Sequence, residues 1–162
     1  VSNGEGCVSL IPHTCVMLNN MLGEEDINPN GFHRWPLNQR MTSMMAPAVV
    51  LFKDGRHIAI GSGGSNRIRS AILQVLVNLI DYNMPLEQAV NAPRIHLEGD
   101  LLSIEGGFKP DELVDVTATY PKHTVWPDLN LFFGGAHTVM SDFNTYSASG
   151  DPRRGGVAIV AS

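Results

Sequence analysis

A short strand-like run at residues 57–60 leads directly into Gly61-Ser62-Gly63-Gly64-Ser65-Asn66-Arg67, and an apolar-periodic segment over residues 68–82 follows. In that segment Ile68, Ile72, Val75, Leu76 and Leu79 recur at helical spacing. Leu73 and Val77 widen the apolar face, so the pattern predicts a helix packed on most sides and sandwiched against a sheet. The junction between strand and helix restricts the chain further. Glycine tolerates positive φ and lets a ligand approach the backbone, while the first N–H groups of the helix lack intrahelical partners. An oxyanion or carboxylate suits such a place. Gly-rich turns of this kind also serve purely structural roles, so the motif takes its meaning from its neighbours.

Those neighbours fill one domain. The 162 residues are 43% hydrophobic and 17% charged, enough to bury one core, and a single unit over residues 1–162 is expected. A formal net charge of −5, a pI near 5.6 and the lack of any Lys/Arg run exclude a nucleic-acid or anionic-membrane surface. Small molecules or other proteins remain as partners. No apolar run reaches the length of a membrane span, and Val1 opens into Ser-Asn-Gly-Glu-Gly without a signal-type segment or an initiator Met. The expectation is a processed product or a piece of a longer polypeptide. Cys7 and Cys15 stand eight apart, and the six His show no ligand spacing, so no metal site is expected and cysteine usage leaves the compartment open.

Along the chain, residues 16–18 form a short apolar run ahead of an acidic, Asn/Gly/Pro-rich loop through residue 38, long enough to read as a lid, a binding loop or a disordered segment. Residues 48–52 and 57–60 flank Lys53-Asp54-Gly55-Arg56, whose Asp-Gly predicts a hairpin. Pro85 suits the first position of a second helix ending at Ala92-Pro93, and Pro110 opens a third through Thr119. Residues 101–105, 137–141, 146–149 and 157–160 read as further strands, with Asp142-Phe143-Asn144 as a turn. Strand-rich ends around a helical middle indicate an α+β fold, or layered α/β with an antiparallel sheet.

Six segments occur in a telling order: Ser2-Asn3-Gly4, Leu18-Asn19-Asn20-Met21, residues 40–47 (Arg-Met-Thr-Ser-Met-Met-Ala-Pro), residues 61–67, Ala89-Val90-Asn91-Ala92-Pro93-Arg94, and Asp151-Pro152-Arg153-Arg154. Together they resemble the small subunit of γ-glutamyltransferases, almost end to end. The resemblance implies Ntn-hydrolase-like αββα layers, of which this chain supplies a part as the C-terminal portion of a small subunit. It further implies a self-cleaved precursor, a large-subunit partner, and a γ-glutamyl substrate such as glutathione. Transfer or hydrolysis would run through an acyl-enzyme on an N-terminal Thr upstream of Val1, with neither metal nor organic cofactor. Bacterial members are mostly periplasmic or extracellular. The internal Thr residues have no free α-amine to act as base.

A γ-glutamyl substrate presents an ammonium and a carboxylate at one end and the scissile amide at the other. Acceptors are needed around the ammonium, and neutral donors or Arg around the carboxylate. Asn3 and Glu24, with Glu25 as the alternative, fit the first need. Thr42 and Ser43 match the family's paired Ser for the carboxylate, although such hydroxyls commonly bond local backbone instead. Alignment of residues 61–67 with the family loop places two oxyanion amides at Gly64 and Ser65, with Gly63 as an alternative; Ser65 stands where the family has glycine. Arg67, Arg153 and Arg154 read as salt-bridge or turn residues, and Trp35 and Trp126 as core or rim packing. Two rival readings stay open: a related acylase, and a non-catalytic module whose glycine loop holds an anion such as phosphate. As a partial layer, the chain should expose apolar surface at residues 16–18 and 131–133 and self-associate.

Overall fold

The computed structural model describes residues 9–18, 21–28 and 30–161. The chain divides into two compact units, Val1–Met45 and Ala46–Ser162. In the first unit a minimal hairpin pairs β1 (Leu10–Ile11) with β2 (Val16–Met17), and their side chains are exposed. Two 3-10 turns follow, Met21–Gly23 and Glu25–Ile27. They are tied together by the buried Asn28, whose Nδ2 donates to the carbonyls of Met21 (3.2 Å), Leu22 (3.2 Å) and Glu24 (2.6 Å). The acidic loop therefore has an ordered frame. Its organiser is an amide rather than one of its acids.

The second unit opens with the hairpin expected around Asp54-Gly55. β3 (Ala48–Leu51) pairs with β4 (His57–Gly61) antiparallel, Leu51 opposite His57. Gly55 takes φ 94°, the positive value that the turn requires. α1 (Arg67–Ile80) follows, burying Ile68, Ala71, Ile72 and Val75 at the i, i+3, i+4, i+7 spacing of one face. The helix is packed on most sides as expected: only Arg69, Leu73 and Ile80 are exposed, and Leu73, at 63%, is the one residue of the widened apolar face left out of that packing. α2 (Leu86–Asn91) begins one residue later than Pro85, which takes the N-cap.

β5 (Ile95–Glu98) and β6 (Leu101–Ile104) form a hairpin through Gly99-Asp100. α3 (Pro110–Thr119) then crosses back so that β7 (His123–Val125) runs parallel to β6. Neither β5 nor β7 was expected. β5 is masked by the polar residues His96 and Glu98, and β7 by its brevity. β8 (His137–Asp142) and β9 (Thr145–Ser149) complete the larger sheet, in the order β3-β4-β8-β9, all antiparallel. Its inner face carries Ile58, Ile60 and Thr138 into the core.

Two further expectations are corrected. Residues 157–160 are not a strand but exposed, irregular chain, with no described strand to supply a ladder. In residues 131–133 only Leu131 is freely exposed; Phe133 is buried, and Phe132 stacks on Trp126 with centroids 5.0 Å apart. An aromatic cluster uses that surface internally. The exposed apolar face lies elsewhere, on the outer side of the larger sheet. There the register aligns Val49, Ala59, Val139 and Ala148 in one row, and Leu51 and Tyr146 flank it. Val49 is 69% and Leu51 71% exposed.

Candidate functional site

The turn between β4 and α1 is held by backbone packing. Ser62 Oγ accepts the Gly135 N–H at 3.1 Å and donates to the Gly63 carbonyl at 3.3 Å. Gly64 sits at φ 128°, where a Cβ would lie 3.3 Å from Gly134 Cα. Gly134, at φ 86°, would place a Cβ 2.8 Å from Ser62 Oγ and 3.1 Å from the Gly63 oxygen. Gly63-Gly64 and Gly134-Gly135 thus meet backbone against backbone. Only residues without side chains permit that approach. Gly134 and Gly135 were missed in the sequence; their one signal was the Gly-Gly dipeptide before a strand.

Ser65 adopts φ 56°, and Asn66 returns to φ −60°, ψ −25°. That alternation of hand turns successive N–H groups toward one side, as anion-binding nests do. A left-handed serine costs on the order of 1–2 kcal/mol, a strain that glycine would avoid, and either residue supplies a backbone N–H. The carbonyls of Gly64 and Ser65 accept from Arg67 and Ile68, both at 3.1 Å, and start the helix. Among the described residues none accepts the Gly64 N–H.

Charges of both signs border the turn. No acid occupies the first turn of α1. Arg67 Nε donates to the Phe132 carbonyl at 3.3 Å, and its guanidinium lies 4.7 Å above the Phe132 ring. The Asn66 side chain donates to Glu98 Oε1 at 2.6 Å, anchoring the loop's end to β5. That bond, with help from His96 and against the effect of burial, holds Glu98 below the usual carboxylate range. The helix end and Arg67 favour an anion, and Glu98 at the loop's far end works against them.

Beneath the loop lies a buried four-residue ion network, which accounts for two of the sequence motifs. Arg94 NH2 contacts Asp151 Oδ2 at 2.7 Å, and Arg153 pairs with Glu105 through Nε (2.8 Å) and NH2 (2.7 Å). Arg153 NH1 also reaches Asp151 Oδ1 at 3.3 Å. The carboxylates are saturated by the Ala136 N–H on Asp151 and the Arg94 and Asn130 N–H groups on Glu105. Burial alone raises the Asp151 pKa, but the Arg94 charge and the Ala136 and Arg153 N–H donors outweigh it and leave the group below its ordinary value. Burial lowers Arg94, assisted by the charge of Arg153; Arg153 itself is raised because Glu105 and Asp151 overcome its desolvation. The network fastens α2, β6 and the chain before β8 into one frame. Arg153 is structural, as expected. Glu105 was missed, since nothing in the sequence pairs it with an Arg 48 positions away.

The remaining candidates belong to the first unit. Asn3, with Asn19 and Asn20, lies outside the described residues. Glu24 is half-buried beside the Asn28 frame. Thr42 Oγ1 donates to the Ile27 carbonyl at 3.3 Å, and Ser43 Oγ accepts the Met45 N–H at 3.2 Å. Both hydroxyls therefore have local backbone partners. Glu24, Ile27 and Thr42 are brought into one neighbourhood, whereas Gly63, Gly64 and Ser65 belong to the second unit. No group of His, Cys, Asp and Glu among the described residues is arranged to hold a metal ion.

An antiparallel sheet backed by α1, with an anion-favouring turn at a strand's end, belongs to the Ntn-hydrolase-like α+β class expected from the sequence. The γ-glutamyltranspeptidase family model matches residues 2–161, and the chain belongs to that family. It is 39% identical over 121 residues to the glutathione hydrolase proenzyme of Escherichia coli (strain K12), covering 72% of this chain and 20% of that protein. It is 40% identical over 100 residues to the acylase ACY 1 proenzyme of Pseudomonas sp. (strain SE83), covering 61% of this chain and 18% of that one. A mutant γ-glutamyltranspeptidase of Helicobacter pylori superposes with a TM-score of 0.74 at 30% identity, covering 91% of this chain and 87% of that chain. The chain spans about a fifth of the length of the curated relatives it matches. No helix among the described residues is long and apolar enough to cross a membrane.

Proposed function

We propose that this chain is the C-terminal portion of the small subunit of a γ-glutamyltransferase, an enzyme that transfers or hydrolyses γ-glutamyl groups of glutathione-like substrates. The nucleophile in this reading is a threonine outside this sequence, freed by cleavage of a precursor. Its hydroxyl attacks the γ-carbonyl, the amine leaves, and water or an acceptor amine resolves the acyl-enzyme. This chain's contribution is electrostatic. The N–H groups of Gly64 and Ser65, with Gly63 as the alternative, receive the oxygen on which negative charge develops, an interaction whose loss typically costs ~100- to 1000-fold in rate. Thr42 and Ser43 take the α-carboxylate by exchanging their local bonds for substrate, while Glu24 and Asn3 take the α-ammonium.

The observation that supports the reading most is the turn at residues 63–66, where the backbone changes hand between Ser65 and Asn66 ahead of a helix with no acid in its first turn, in a chain of this family. The exposed row Val49, Ala59, Val139 supports the layered partner: an apolar sheet face asks for a second sheet, here from a large subunit. A specific likeness, to the acylase of Pseudomonas sp., favours a second reading, an acylase acting on another amide. One comparison separates them. The intact protein is given a γ-glutamyl anilide and the same anilide without its α-amine. We expect turnover of the first and at least tenfold less of the second, since Glu24 and Asn3 would lose their ligand. Equal or preferred turnover of the deaminated amide would establish the acylase reading instead.

A further inference from the structure

Arg154 differs from its neighbour Arg153 in every respect. Arg153 is buried and saturated by two carboxylates; Arg154 is exposed and has no carboxylate partner among the described residues. Among the described residues its side chain makes one hydrogen bond, from NH2 to the Leu131 carbonyl at 3.2 Å, which leaves most of its five donors uncommitted. Yet its place is well defined. The stem runs across Gly135, so closely that a Cβ there would sit 2.7 Å from Cδ. The guanidinium then lies along the glycine turn: a Cβ on Gly63 would be 3.8 Å from Cζ, and one on Gly64 would be 3.3 Å from NH2. Three glycines clear the path of one cation.

We infer that Arg154 is a positioning residue for the oxyanion loop: its stem braces the Gly63-Gly64 segment against Gly135, and its unpaired charge raises the anion affinity of the loop's N–H donors. The inference rests on the proposed oxyanion role of those donors. A full positive charge held against the peptide units of Gly63 and Gly64 favours an oxyanion forming there and leaves a neutral ground-state carbonyl nearly unaffected, so it acts on the transition state. Such a group changes kcat more than KM. Partial exposure limits the gain through solvent screening.

The test compares Arg154→Met, which keeps the stem and removes the charge, with Arg154→Lys, which keeps both stem and charge, in the intact processed enzyme. Rates on a γ-glutamyl anilide are normalised to the amount of processed subunit. Affinities are measured for a tetrahedral γ-boronate analogue of glutamate and for glutamate itself. We expect roughly tenfold lower kcat in Arg154→Met, KM within about twofold, a matching loss of boronate but not glutamate affinity, and rates in Arg154→Lys within about threefold of the parent. Unchanged kcat in Arg154→Met would overturn the inference, as would an equal fall in Arg154→Lys or an effect confined to KM. If too little Arg154→Met is processed for rates, Gly135→Ala displaces the same stem, and a parent-like ratio of boronate to glutamate affinity in that variant would overturn it equally. Failure of the parent enzyme to turn over any γ-glutamyl amide would instead remove the oxyanion reading on which Arg154 depends.

Discussion

At the scale of single residues, the ion network shows how two short motifs become one structural device. Arg94 and Asp151 lie 57 positions apart, and each is nearly inaccessible. Breaking one member of such a pair strands the other charge in the core, which costs about 3–5 kcal/mol, far more than an exposed pair would. Asp151→Asn keeps the shape and the Ala136 contact but removes the charge opposite Arg94. Chemical denaturation at neutral pH should show a loss of about that size. The sign with pH follows from the lowered Asp151 pKa: its contribution is complete above the ordinary aspartate value of about 3.9 and disappears as pH falls through the lower folded value. The difference between parent and Asp151→Asn should therefore shrink in acid. A constant difference down to pH 3 would mean that the Asp151 charge is not what the core needs. Arg153 was legible as a salt-bridge or turn residue because Asp151-Pro152-Arg153-Arg154 is dense in charge, whereas Arg94 stands in a motif with no other charge and was not. Glu105 was not, because its role depends on a chain reversal that local patterning does not encode.

At the scale of elements, local signals carried far. The Asp-Gly hairpin, α1, α3 and the β8–β9 turn stand where propensity and periodicity put them, within a residue or two. What failed did so for tertiary reasons. Residues 157–160 have strand composition but no described strand to pair with, and composition alone does not make a ladder. The glycine turn was recognised from one side only. Its opposing wall, Gly134-Gly135, is 70 residues downstream and carries no chemistry of its own. That wall is nonetheless a sensitive point. Gly134→Ala would push a methyl group into Ser62 Oγ and the Gly63 carbonyl at a φ that L side chains rarely adopt. We expect at least a tenfold loss of kcat in the intact enzyme with a smaller change in KM, because the donors move relative to the developing oxyanion. Steady-state kinetics at saturating substrate would decide it. Parent-like kcat would show that the Gly134 contact does not set the loop.

At the scale of the molecule, the larger sheet of the second unit has one face filled by α1 and α2 and the other left apolar. The sequence predicted unsatisfied surface but misplaced part of it, since the aromatic residues near 132 pack on one another while the alternate residues of β3 and β8 stay bare. Strand alternation contains that information only once the register is known. If a second sheet covers the row, one charge within it should prevent assembly. Val139→Asp is expected to abolish recovery of the paired subunits on size exclusion while His57→Asp, at the flank, has a lesser effect. Normal assembly of Val139→Asp would place the partner elsewhere.

The central claim is that the amides of Gly64 and Ser65 hold the reaction's oxyanion. A crystal structure of the intact enzyme with a tetrahedral γ-boronate or γ-phosphonate adduct on the nucleophile measures this directly. The account predicts an adduct oxygen about 2.7–3.1 Å from both backbone nitrogens, or from those of Gly63 and Gly64 if the register shifts by one. An adduct whose oxygens are bound by other groups, with residues 63–65 out of hydrogen-bonding range, would contradict it.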